Sequence, residues 1–139
     1  MALSFGVTID CGRPVALAKF WCDLLGYVEE PAPDGYASWQ EYDAANGVTP
    51  AEAESGCTII DPTGHGPRLY FQQVPEGKRG KNRVHLDIAA SVRHQWTDVT
   101  AAVDRAVARG ASVIRESDNP HDKFIVLADP EGNEFCLVL

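Results

Sequence analysis

One turn occurs twice in this chain, half a chain length apart. Asp61-Pro62-Thr63-Gly64 leads into the apolar run "PRLYFQQV", and Asp129-Pro130-Glu131-Gly132 leads into "EFCLVL". In each copy proline presets one backbone angle and glycine supplies a positive φ, so each marks a tight turn before a strand. The segments ahead of the turns also correspond. Val7-Thr8-Ile9-Asp10 has the pattern of Val84-His85-Leu86-Asp87, and each is followed by a helical stretch that stops at a glycine. A repeat of this order predicts two copies of one supersecondary unit. The predicted fold is α+β: two tandem βαβββ modules, at about 1–76 and 82–139 with a linker at 77–81. Their sheets would form a curved mixed β-sheet cup with the helices outside.

Local patterning fills in the elements. "LSFGVTIDC" alternates and predicts a strand at 4–11. Pro14 suits a first helical turn. Leu17, Phe20, Trp21, Leu24 and Leu25 then recur at the spacing of one helix face, and Gly26 supplies the stop. Residues 27–55 are less regular: "YVEE" and "YASWQEY" read as short strands around "PAPDG", and "DAANGVTPAEAES" as a loop. "GCTIIDP" and "PRLYFQQV" read as strands, and the basic, turn-rich "PEGKRGKN" as a link between halves. In the second half "RVHLDIAA" reads as a strand. "WTDVTAAVDRAVARGA" reads as a helix capped by Thr97 or Asp98 and stopped by Gly110, and "SVIRES", "KFIVLAD" and "EFCLVL" as three strands.

A chain of 139 residues suits one domain with a proper core. Its net charge of −8 argues against a nucleic-acid partner, which would call for a basic face. No apolar run is long enough for a membrane span, and the start has no secretion-signal pattern. Four cysteines (Cys11, Cys22, Cys57, Cys136) without CxxC spacing predict reduced thiols and a cytoplasmic protein.

Strand alternation sorts the polar residues. Val7 and Ile9 are expected to face the helix and Thr8 and Asp10 the cup; likewise Val84, Leu86 and Ile88 against His85 and Asp87. Gln72 shares a face with Tyr70, and Cys136 with Val138. The candidate cluster is therefore Thr8, Asp10, Gln72, His85, Asp87 and Cys136. Asp87, two residues from His85, is placed to orient its imidazole or to act as a base. Trp39 and Phe124, read on central strands of their halves, are candidates for the cup lining, with ordinary core packing as the alternative. Arg83, at the end of the basic run "GKRGKNR", is a candidate for attracting an anionic ligand. His65, His94 and His121 fall in segments expected to face solvent.

Three stretches in order, "AKFWCDLLGY" (18–27), "KNRVHLDI" (81–88) and "DPEGNEFCLVL" (129–139), resemble the glyoxalase-like domain family. That family is part of the vicinal-oxygen-chelate superfamily, which also holds glyoxalase I, extradiol dioxygenases and bleomycin- and fosfomycin-resistance proteins. The resemblance implies a small-molecule ligand, a plausible homodimer and, in the metal-dependent members, a divalent ion on cup-facing strands. Carried over by position, His85 matches one ligand. Cys136 stands where a glutamate is usual, Gly6 or Thr8 takes the first-module position, and Gln72 comes near the last. The resemblance thus implies an incomplete metal site, weak for Ni²⁺ or Mn²⁺, with Zn²⁺ on His85 and the Cys136 thiolate as the alternative. Two activities follow as expectations: a ligand-binding or antibiotic-sequestering protein, or a lyase or isomerase of glyoxalase type using a metal or His85. A module whose cup is only core is the third.

Overall fold

The computed structural model describes residues 1–139. The chain divides into two compact units, Met1–Gly77 and Lys78–Leu139. In the first, β1 (Gly6–Cys11) runs into α1 (Pro14–Leu25), followed by β2 (Val28–Glu29), α2 (Trp39–Asn46), α3 (Pro50–Ala53), β3 (Gly56–Ile60) and β4 (Arg68–Gln73). In the second, β5 (Asp87–Ala89) precedes α4 (Trp96–Ala108), β6 (Ser112–Glu116), β7 (Phe124–Ala128) and β8 (Glu134–Val138). The sheet orders are β1-β4-β3-β2 and β5-β8-β7-β6. Each first strand pairs in parallel with its unit's last, and the remaining pairings are antiparallel. The repeat in the sequence is a repeat of topology, and the α+β class follows from it.

The helices form for the reasons their sequences state. Pro14 occupies the first turn of α1, where its missing N–H is not needed, and Gly26 ends the helix in the left-handed conformation at φ 74°. Leu17, Ala18, Phe20 and Trp21 are buried on one side of α1. That side packs on β3 and β4, whose Ile59, Leu69 and Phe71 complete the first core. In α4, Val99, Ala102, Val103 and Ala106 form the buried face. It meets β6 and β8, with Ile125, Leu127, Phe135 and Leu137 in the second core.

Both Asp-Pro-x-Gly turns work the same way. The Asp61 carboxylate accepts from the backbone N–H groups of Thr63 (2.8 Å), Gly66 (2.8 Å) and His65 (3.2 Å). Asp129 accepts from Glu131 (2.9 Å) and Asn133 (3.0 Å). Gly64 and Gly132 hold φ of 76° and 88°, where a side chain would be strained.

Several local expectations are corrected. The stretch 36–42 is not a strand: Ser38 caps α2 by accepting from the Glu41 N–H, and Trp39 is the first residue of that helix. The segment 43–55 is not a loop throughout, because α2 continues to Asn46 and Thr49 and Glu52 form a reciprocal capping box on α3. Local side-chain capping outweighed the aromatic β-propensity there. The N-cap of α4 is Gln95, ahead of Thr97 and Asp98, and β1 starts at Gly6. The strand expected over 83–90 narrows to Asp87–Ala89, so His85 lies just before β5, and Val84 is 84% exposed instead of facing the helix.

Candidate functional site

The register within each sheet brings the polar residues together. In the parallel β1–β4 pair, Asp10 lies opposite Gln72. The Gln72 amide donates to the Asp10 carboxylate over 3.3 Å. In the parallel β5–β8 pair, Asp87 lies opposite Cys136. These are the same position of the repeat: a carboxylate–amide pair in the first unit and a carboxylate–thiol pair in the second. Thr8 of the first unit corresponds to His85 of the second.

His85, Asp87 and Cys136 converge, each offering a donor atom within 4.8 Å of the others. His85 Nδ1 is 3.3 Å from Asp87 Oδ1, which leaves Nε2 for other partners. The Cys136 thiol is pushed up to about 11 by burial, and next by its hydrogen bond to and the charge of Asp87; Arg115 and Lys81 oppose the shift. The thiol is therefore protonated at neutral pH, opposite Asp87 in the sheet. It is a poor nucleophile as it stands.

The cluster lies in a cleft of about 470 Å³ in the second unit. Phe124, Val126, Cys136 and Val138, on adjacent strands, make a largely apolar floor. Lys81, Arg115, Asp122 and Glu134 add charge around it. Glu134 is already committed. It accepts from the Asn82 N–H (2.9 Å) and pairs with Lys78 (3.1 Å), and these partners hold its carboxyl below the usual range despite some burial.

A β-bulge shapes the wall. Val113 pairs with Leu127, but Arg115, not Ile114, pairs with Val126. The extra residue leaves both Ile114 and Arg115 in the cleft lining, where simple alternation would send Arg115 to the opposite face. The Arg115 guanidinium lies over the Phe124 ring, 5.1 Å from its centroid.

Other candidates from the sequence lie elsewhere. Thr8 is exposed on β1, and Arg83 is exposed and does not line the cleft. Trp39 donates its indole N–H to the Glu30 carbonyl (2.7 Å) and lines a hollow of about 280 Å³ in the first unit, with Tyr70, Glu29, Asp43 and Glu52. Phe124 is on an inner strand, as read, and half-buried. His65, His94 and His121 are exposed. Sequence reasoning missed Arg115 and Glu134; Lys81, within the basic run 77–83 read as able to attract an anion, does line the cleft. Arg115 carried no signal, because a bulge is invisible to alternation counting; Glu134 was one turn of alternation from Cys136 and legible in retrospect.

The comparisons with known proteins agree with this architecture. No curated protein sequence matches the chain. Among solved structures, it is similar to a glyoxalase/bleomycin resistance protein/dioxygenase family enzyme from Burkholderia phytofirmans, at 19% identity, TM-score 0.62, and 96% coverage of both chains. The fosfomycin resistance protein FosX from Mesorhizobium loti superposes with TM-score 0.65 at 12% identity, covering 99% of this chain and 91% of that one. A mutant FosX from Listeria monocytogenes, complexed with Mn(II) and a dihydroxypropylphosphonic acid, gives TM-score 0.62 at 13% identity, covering 99% and 88%. At such identities these likenesses speak for the fold. The glyoxalase-like domain profile matches residues 6–138, and the chain belongs to the glyoxalase-like domain family.

Proposed function

We propose that this protein binds a small organic molecule in the cleft of its second unit, with His85 as the group that exchanges a proton with it. The observation that carries this reading is the meeting of an apolar floor with the His85–Asp87–Cys136 cluster in one cleft. Apolar surface supplies affinity, and a few convergent polar groups supply orientation. Asp87 fixes the imidazole through Nδ1, so Nε2 is the atom offered to the ligand. Titration of the full chain with a small-fragment library, followed by amide NMR, tests this. Shifts should concentrate on Phe124, Val126 and Val138, and disappear in Val126→Trp, whose fold is checked by circular dichroism. Hits mapping elsewhere, or unchanged in the filled cleft, would overturn the reading.

A second reading is a zinc-dependent lyase or isomerase of glyoxalase type. The specific observation in its favour is the donor set. Nitrogen, carboxylate oxygen and sulfur suit Zn²⁺ better than Ni²⁺ or Mn²⁺, and three protein ligands leave one position open, as in catalytic zinc sites. His85, Asp87 and Cys136 would hold the ion, which supplies Lewis-acid polarisation of a ligand oxygen. The thiol would give up its proton on binding, so uptake should release protons. Stoichiometric zinc lost in both His85→Ala and Cys136→Ser would favour this reading. A protein that takes up no zinc from excess ion would exclude it.

A further inference from the structure

We propose that Arg115, turned into the cleft by the β6 bulge, receives the anionic group of an apolar-bodied ligand with help from Lys81, so that the ligand class is a small hydrophobic carboxylate. This rests on the cleft being the ligand site and adds what the ligand must carry.

Three observations converge. First, the bulge between Val113 and Arg115 is what brings Arg115 to the cleft. Bulges near binding sites commonly re-aim one side chain in this way. Second, the Arg115 guanidinium is supported from one side by the Phe124 ring and is neutralised by no carboxylate in an ion pair. Stacking holds the planar fork in place and leaves its N–H groups for a planar two-oxygen acceptor. Third, two of the cleft carboxylates are taken. Glu134 is bound by Lys78 and the Asn82 N–H, and Asp87 by His85. Asp122, on the loop before β7, is the remaining negative group and faces two cations, Lys81 and Arg115, in the same lining. Phe124, Val126, Val138 and Ile114 provide the surface for the ligand's hydrocarbon part.

The test compares matched probes on the full chain by amide NMR: phenylacetate against phenylacetamide, and hexanoate against hexanamide. Each carboxylate should bind about tenfold or more tightly than its amide, the expected gain from one charge-assisted pair. In Arg115→Met, which keeps the stem over Phe124, that preference should collapse to near unity, and Arg115→Lys should restore part of it. Amides that bind the cleft as well as the carboxylates would overturn the anion assignment while leaving the cleft as the ligand site. A carboxylate preference that survives in Arg115→Met would overturn the role of Arg115. If neither member of either pair shifts cleft residues, this proposal and the cleft reading fall together.

Discussion

The two units share one topology and differ in what stands on the polar face of the sheet. In the first, α2 and α3 are inserted between β2 and β3, and Trp39 and Tyr70 line a hollow that contains carboxylates and no basic side chain. In the second, β6 runs directly to β7 and the sheet bears an open cleft with Lys81, Arg115 and His85 in its lining. The pair at the heart of each sheet follows the same division. Asp10 holds a neutral amide, a satisfied and chemically quiet contact, whereas Asp87 holds an imidazole and lies opposite a thiol. The two sheets share one strand order and differ in the side chains that stand on it.

This contrast can be broken at several levels. The cores should be equivalent even where the faces are not. Phe71→Ala and Phe135→Ala each empty a fully buried aromatic site and should each cost about 3–5 kcal/mol in urea denaturation. A markedly smaller cost in one unit would show that its core is the weaker. Next, His85→Thr combined with Cys136→Gln rewrites the second cluster in the residues of the first. Zn²⁺ affinity by competition with a chelating dye should fall by roughly 100-fold or more, since two of three donors go; Thr8→Ala with Gln72→Ala at the corresponding positions of the first unit should leave it alone.

The turns give a finer comparison. Asp129 is 3% exposed and its carboxylate serves half-buried backbone donors, so Asp129→Asn should cost about 1.5–3 kcal/mol by thermal unfolding. Asp61→Asn, at the more open turn, should cost clearly less. Asp61 is nonetheless held below the usual carboxylate range by its hydrogen bonds from Thr63 and Gly66. Its contribution is therefore present above the unfolded carboxylate range and fades as pH falls through the folded value.

The smallest effect concerns the thiol. With its folded value raised from 9.0 to about 11, Cys136 stabilises the fold fully below 9.0, and that contribution is lost as pH rises toward 11. Alkylation of Cys136, followed by peptide mass spectrometry, should be slow at neutral pH and accelerate across that window. Asp87→Asn should bring the acceleration to lower pH, and Arg115→Met should delay it, because these remove the opposing charges. A thiol already reactive at neutral pH would contradict the environment described for it.

Much of the frame was readable in advance because its signals are local. Pro14 and Gly26 bound α1, Leu17, Phe20 and Trp21 mark its buried face, and the two Asp-Pro-x-Gly turns deliver β4 and β8. Alternation also placed Asp87 and Cys136 on matching faces. The errors arose where two local signals competed, as at Ser38–Trp39, where an N-cap contact overrode aromatic β-propensity.

By itself, then, the sequence determined the repeat, the α+β class and the polar residues offered by each strand, since turns, caps and period-two alternation act over a few residues. Only the tertiary structure decided that Asp87 meets Cys136 in register, that Trp39 belongs to the first unit's hollow, and that one extra residue in β6 turns Arg115 toward Phe124. Those outcomes depend on which strand pairs with which and at what offset. Such pairing is settled by packing between segments far apart in the chain, and no short window of residues encodes it.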